Sequence, residues 1–197
     1  MNGSDLTEES AALDVLVRDL VERLGERGET VAVAESLTAG MVLERLGRVP
    51  GVSMVLRGGV VAYATDLKMA LLGVLPAIIA DHGAVSPETA VAMASGVRQR
   101  CVSDWGMATT GVAGPDPQEG KPPGTVFVAV DGPVGTHWHR LEVRQAAMSG
   151  LDPAGLRERI RLAATRAALR LLFDVVGGVS VASVDGESYP DGERDTG

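Results

Sequence analysis

The chain has 197 residues, of which 45% are apolar, 22% charged and 3% aromatic, with a formal net charge of −8. A chain this long buries roughly 70% of its unfolded surface, so it needs neither a disulfide nor a metal to hold a core. The acidic balance argues against a general grip on nucleic acid or an anionic membrane, and the shortage of rings argues against a stacking platform for single strands.

The single cysteine, Cys101, leaves no internal disulfide and no cysteine-rich metal site. Met1 to Ser10 is polar and acidic, without the basic and apolar regions of a secretory signal. No run of about 18 apolar residues is present, so no membrane span is expected. A soluble cytoplasmic protein is the expectation.

Leu13, Leu16, Val17, Leu20, Val21 and Leu24 recur at helical spacing, which predicts an amphipathic helix from about Glu8 to Glu26, stopped by Gly25 and Gly28. Thr30 to Ala34 reads as a short buried strand. Glu35 to Thr38 turns into a helix over about Thr38 to Leu46, closed by Gly47. Val55 to Tyr63 reads as a strand interrupted by Gly58-Gly59, a mark of a bulge or a close backbone approach. Short helices follow from Thr65 to Leu72 and from Pro76 to His82. Ser86-Pro87 combines a cap residue with proline at the first helical position, and that helix runs to about Cys101.

Asp104 to Thr110 is a further strand. It leads into a Gly/Pro loop at 111–123, a length that inside a compact domain points to function or mobility. Thr125 to Val130 and Thr136 to Val143 form a hairpin around the turn at 131–135, and Pro153 to about Val175 is a long helix. Beyond Gly177 the chain carries five acids against one arginine, and this 177–197 segment reads as an acidic, partly disordered tail. Helices alternating with strands, plus a hairpin, imply one α/β domain over 1–176, a three-layer α/β/α sandwich with a mixed sheet. Valine-rich strands and a long apolar helix make a homo-oligomer, a dimer, the expected assembly.

Chemistry is expected where strands run into turns. At Glu35-Ser36-Leu37-Thr38-Ala39-Gly40 a strand meets a helix start, where α/β folds bind ligands. Ser36 reads either as a helix N-cap, a role Thr38 could also take, or as a nucleophile. The sequence there is not the G-x-S-x-G elbow of α/β-hydrolases. Tyr63 and Lys68 read either as a core-edge tyrosine and a solvated lysine, or as groups that activate Ser36, because a desolvated lysine can act as base. His137 and His139 alternate onto one strand face and read as a surface pair rather than a metal site. Thr109 to Pro115 is a glycine-rich turn without a Walker A or dinucleotide fingerprint.

Taken in order, these segments form a pattern: Glu-Ser-Leu-Thr-Ala-Gly at 35–40, Gly-Gly-Val-Val-Ala-Tyr at 58–63 with Lys68, Gly83-Ala84-Val85-Ser86, Met93-Ala94, Thr-Gly-Val-Ala-Gly-Pro at 110–115 and Gly124-Thr125-Val126. The pattern resembles the C-terminal domain of the competence-damage-inducible CinA family, the nicotinamide mononucleotide deamidases, over about residues 10–174. The resemblance implies the three-layer sandwich and hydrolysis of the carboxamide of nicotinamide mononucleotide to nicotinate mononucleotide and ammonia, without metal or cofactor. It carries the catalytic serine, tyrosine and lysine to Ser36, Tyr63 and Lys68. Substrate contacts are expected from Glu35, Thr38, Gly40, Thr110, Gly111, Ala113, Gly114, Arg157 and Arg161, the arginines and the 110–114 turn facing the phosphate. The oxyanion is expected at main-chain N–H groups of the helix start after Ser36.

The chain departs from the family pattern at Asp116-Pro117-Gln118-Glu119-Gly120, where more glycines are usual, at Pro122-Pro123, and ahead of Arg157, where an acid is lost. Longer members carry a further N-terminal domain, whose activity is not expected here. Two other readings stay open: a nucleotide-binding or regulatory module that has lost the chemistry, and a Ser/Lys amidase acting on an unrelated amide.

Overall fold

The computed structural model describes residues 3–143 and 150–179; the expected tail beyond Val179 lies outside them. In chain order the elements are α1 (Gly3–Arg27), β1 (Val31–Glu35), α2 (Met41–Gly47), a 3-10 turn (Val52–Met54), β2 (Leu56–Val61), α3 (Thr65–Leu72), α4 (Pro76–His82), α5 (Pro87–Cys101), β3 (Trp105–Gly111), β4 (Thr125–Gly132), β5 (Gly135–Glu142) and α6 (Pro153–Val176). The five strands form one sheet in the order β2-β1-β3-β4-β5. β1 is parallel to both β2 and β3, and β3, β4 and β5 are antiparallel to one another in turn. This is the mixed sheet expected from the sequence.

Alternation along the strands builds two unlike faces. Val31, Val33, Trp105, Met107, Val126, Val128 and Val130 point to one side, where they pack with α1, α2 and α6. Ala32, Ala34, Ala108 and Ala129 point to the other, beneath α3, α4 and α5. The small face lets α5 approach closely. A Cβ at Gly106 would lie 2.1 Å from the Ala94 carbonyl oxygen; on its other side α5 packs as closely on α3, where a Cβ at Gly96 would lie 2.0 Å from the Leu72 carbonyl oxygen. Helices on both faces bury β1 and β3 along their whole length.

The glycine pair in β2 has two separate causes. The register between β1 and β2 slips by one residue, pairing Val31 with Leu56 and then Ala32 with Gly58, and Gly58 has φ 137°. At Gly59 a Cβ would stand 2.5 Å from the Val33 oxygen, so this position is a close approach.

Two helix starts carry side-chain caps of the expected chemistry. Ser86 caps α5 by accepting from the Thr89 N–H at 3.1 Å, with Pro87 at the first position. Asp152 caps α6 through the Gly155 N–H at 2.8 Å. The start of α2 corrects the sequence reading. It lies at Met41 rather than Thr38, and its N-cap is Gly40 at φ 97°, so neither Ser36 nor Thr38 caps it. The histidine pair is corrected as well. His137 and His139 pair across to Val130 and Val128 and share their inward face. His139 is buried, which lowers the pKa of its imidazole, and both ring nitrogens of His137 are buried without a hydrogen-bond partner among the described residues.

Because β2, β1 and β3 are parallel, their carboxyl ends reach the same edge of the sheet. That edge is where an open α/β sheet presents ligand-binding loops.

Candidate active site

Ser36 follows directly on the end of β1. Its N–H donates to the Thr109 oxygen on β3 at 3.1 Å, and the preceding Glu35 oxygen accepts from the Ala62 N–H after β2 at 2.8 Å. The serine is therefore pinned between the two neighbouring strands. On α3, Lys68 and Leu72 are the buried positions, one turn apart, and Lys68 is 2% exposed. Its Nζ lies 3.0 Å from Ser36 Oγ, 2.9 Å from the Ala62 oxygen and 3.3 Å from the Tyr63 oxygen.

Burial lowers the Lys68 pKa, while the charge of Glu119 acts in the opposite direction. All three groups accept from the amine, the Ser36 hydroxyl among them. Loss of one proton would leave two N–H donors for the carbonyls and a lone pair for the serine hydroxyl.

A cavity of about 100 Å3 opens over this pair, walled by Leu37 and Tyr63, by Ala84 and Val85 of the α4–α5 turn, and by the 110–114 turn with Asp116 and Gln118. Arg157 of α6 stands at its rim. It donates to the Gly114 oxygen and, at 3.1 Å, meets the Tyr63 hydroxyl. Thus Tyr63 faces Lys68 with its main-chain carbonyl, while its half-exposed phenol faces Arg157.

The other expected contacts divide into wall and support. Gly111, Ala113 and Gly114 line the pocket. Thr110 lines it as well, with its hydroxyl donating to the Ala84 oxygen at 2.7 Å. Glu35, Thr38, Gly40 and Arg161 are not among the lining residues and stand behind it. The Glu35 carboxylate, fully buried, accepts from the N–H groups of Gly40 at 2.8 Å, Val42 at 3.2 Å and Leu43 at 2.9 Å. It thus caps α2 from outside the helix, with its charge at the positive end of the dipole. This corrects the placement of an oxyanion at that helix start, because a buried carboxylate already holds those donors. The Thr38 hydroxyl is bonded to that of Thr109 at 2.8 Å, and its carbonyl accepts from Arg161 at 2.8 Å.

Sequence reasoning left out Glu119. Gln118 and Lys121 exchange both main-chain hydrogen bonds, with Glu119 at φ 53° and Gly120 at φ 72° between them, as in a type I′ turn. The Glu-Gly pair in a Gly/Pro loop was the available signal, and a non-glycine residue at positive φ weakened it. Among the described residues no group of three or more His, Cys, Asp or Glu could hold a metal ion, and no helix is long and apolar enough to cross a membrane.

The model of the CinA C-terminal domain matches residues 13–176. A CinA-like protein of Frankia casuarinae is 42% identical over 190 residues, covering 95% of this chain and 40% of that protein. A CinA-like protein of Gloeobacter violaceus is 48% identical over 160 residues, covering 81% of this chain and 36% of that protein. The chain thus spans well under half the length of these relatives. Among solved structures, a competence/damage-inducible protein of Agrobacterium tumefaciens superposes with a TM-score of 0.75 at 32% identity, over 84% of this chain and 95% of that one. A CinA superfamily protein of Klebsiella pneumoniae gives 0.76 at 26% identity, over 84% and 98%. The chain belongs to the CinA C-terminal domain family.

Proposed function

We propose that this domain is a serine amidohydrolase that removes the carboxamide nitrogen of nicotinamide mononucleotide. The observation that carries the reading is the buried Lys68 amine 3.0 Å from Ser36 Oγ, oriented there by two main-chain carbonyls that accept from it. In this scheme Ser36 Oγ attacks the amide carbon and Lys68 takes its proton. The oxyanion is assigned to main-chain donors of the pocket wall, beginning with the N–H of Leu37, the residue after the nucleophile. Lys68 returns the proton to the departing nitrogen, ammonia leaves, and water cleaves the acyl-enzyme to a carboxylate with the same amine as base. A positively charged pyridinium ring makes the amide carbon more electrophilic, so a Ser–Lys pair suffices without a metal.

Arg157, at the rim and within reach of both the Tyr63 phenol and the 110–114 turn, is assigned to the phosphate. Ammonia release on incubation with nicotinamide mononucleotide tests the reading. Stoichiometric release dependent on Ser36 supports it, and binding without ammonia refutes it.

A second reading, a nucleotide-binding or regulatory module, draws on one observation. The phenol of Tyr63, the expected third catalytic group, faces Arg157. Calorimetric binding of the nucleotide in the absence of turnover would select this reading.

A further inference from the structure

The Glu119 carboxylate accepts from the Ala84 N–H at 3.0 Å and the Val85 N–H at 3.2 Å. Those two residues form one wall of the pocket, and Asp116 and Gln118 of the Glu119 loop form another. The fit is close: a Cβ at Gly83 would lie 2.4 Å from Glu119 Oε2, so glycine there makes room for the carboxylate. The Ala84 oxygen is held by Thr110, so Glu119 and Thr110 fix this wall residue at both its polar main-chain groups.

The chain has only two lysines, Lys68 and Lys121, and Glu119 relates to both. Lys121 Nζ lies 4.0 Å from its carboxylate, and its charge acts on Lys68. The other charged or titratable groups around the pocket are Asp116 on the same loop, Tyr63 after β2 and Arg157 on α6; Asp66 lies on α3 itself, and the exposed His82–Glu88 pair spans α4 and α5.

We propose that Glu119 is a positioning residue for the Ser36–Lys68 pair: its carboxylate latches the 112–124 loop onto the Ala84–Val85 wall of the pocket that holds the pair, and its fixed charge acts on the amine through that anchored loop. This rests on reading Ser36 and Lys68 as the reacting pair, and it adds a role the sequence pattern did not assign. Closing the wall keeps the amine dehydrated, while the anion offsets part of that burial and keeps the amine basic enough to accept the serine proton.

Lysine-selective 13C labelling of the full chain gives two Cε signals, and Lys121→Arg identifies that of Lys68. In Glu119→Gln, which keeps the shape and removes the charge, the Lys68 titration midpoint moves to lower pH than in wild type. In Glu119→Ala the Ala84 and Val85 amides exchange at least about tenfold faster, while those of β3 do not. An unmoved or raised Lys68 midpoint in Glu119→Gln overturns the electrostatic role, and unchanged protection of the two amides in Glu119→Ala overturns the latch. A staple with no bearing on the pair would change protection alone. Neither measurement uses the substrate, so failure of the latch or of the charge effect is read separately from failure of the wild type to release ammonia, which refutes the proposed reaction.

Discussion

Lys68 Nζ meets Ser36 Oγ at 3.0 Å across 32 positions of chain, and a single strand pairing brings them together. β2 lies beside β1, so the helix that follows β2 returns over the bend that ends β1. Each partner is held independently of the other, the serine by Thr109 and the lysine by Ala62 and Tyr63. The contact is therefore pre-formed before any ligand arrives.

Ser36→Ala is expected to abolish ammonia release while leaving the fold intact, because Ser36 caps no helix and its hydroxyl bonds Lys68. Loss of at least about a thousandfold in kcat with a native fold and a thermal midpoint lowered by only about 2–4 °C, the cost of one lost hydrogen bond, is the predicted outcome, measured by ammonia assay and calorimetry. Near-normal turnover would remove the covalent scheme.

The rate should fall as pH drops through the lowered pKa of Lys68, because only the neutral amine accepts the serine proton. Stability has its own dependence. The folded pKa lies below the unfolded one, so between the two the unfolded chain binds more protons and stability rises with pH. The thermal midpoint of wild type relative to Lys68→Met should therefore climb as pH increases towards 10.5, the ordinary lysine value. A difference independent of pH would contradict the burial of a titrating amine.

Glu35→Ala should destabilise the domain by about 2–3 kcal/mol, because it strips three main-chain donors of α2 from a buried acceptor. Denaturant midpoints check this, and a change below about 0.5 kcal/mol would show that water replaces the carboxylate.

The two glycines of β2 should respond for different reasons. Gly59→Ala drives a methyl against the Val33 oxygen at 2.5 Å and Leu43 at 2.8 Å, and a loss of about 2–4 kcal/mol is expected. Gly58→Ala meets open space but a φ of 137°, and its loss of about 1–2 kcal/mol comes from backbone strain alone. Equal effects in urea titrations would argue against the separate causes.

Arg157→Ala should raise KM for the phosphorylated nucleotide by about tenfold and leave KM for the corresponding nucleoside nearly unchanged. Equal changes for both substrates would mean that the guanidinium only supports Gly114 and Tyr63.

Much of this architecture is local and therefore legible. The stripe of Leu13, Val17, Leu20 and Leu24 is buried as its spacing predicts, and Ser86-Pro87 opens a helix as cap chemistry requires. One error is local and the other tertiary. The Glu35 carboxylate, five positions upstream of Gly40, displaces Ser36 and Thr38 from the α2 cap, a competitor that the N-cap preference for Ser and Thr does not weigh. His137 and His139 look like surface residues until α6 covers their face of β5.

By itself, then, the sequence determined the alternation of helices and strands and the mixed sheet, because periodicity, caps and turn residues act over a few positions; Ser36, Tyr63 and Lys68 were singled out by the resemblance of their segments to a family pattern. Tertiary structure decided which atom of each residue faces the pocket. Strand order sets Lys68 on Ser36, turns the Tyr63 carbonyl rather than its phenol to the amine, and folds Glu119 against Ala84 and Val85. Those relationships depend on pairing and burial between segments far apart in the chain, and no local propensity encodes them.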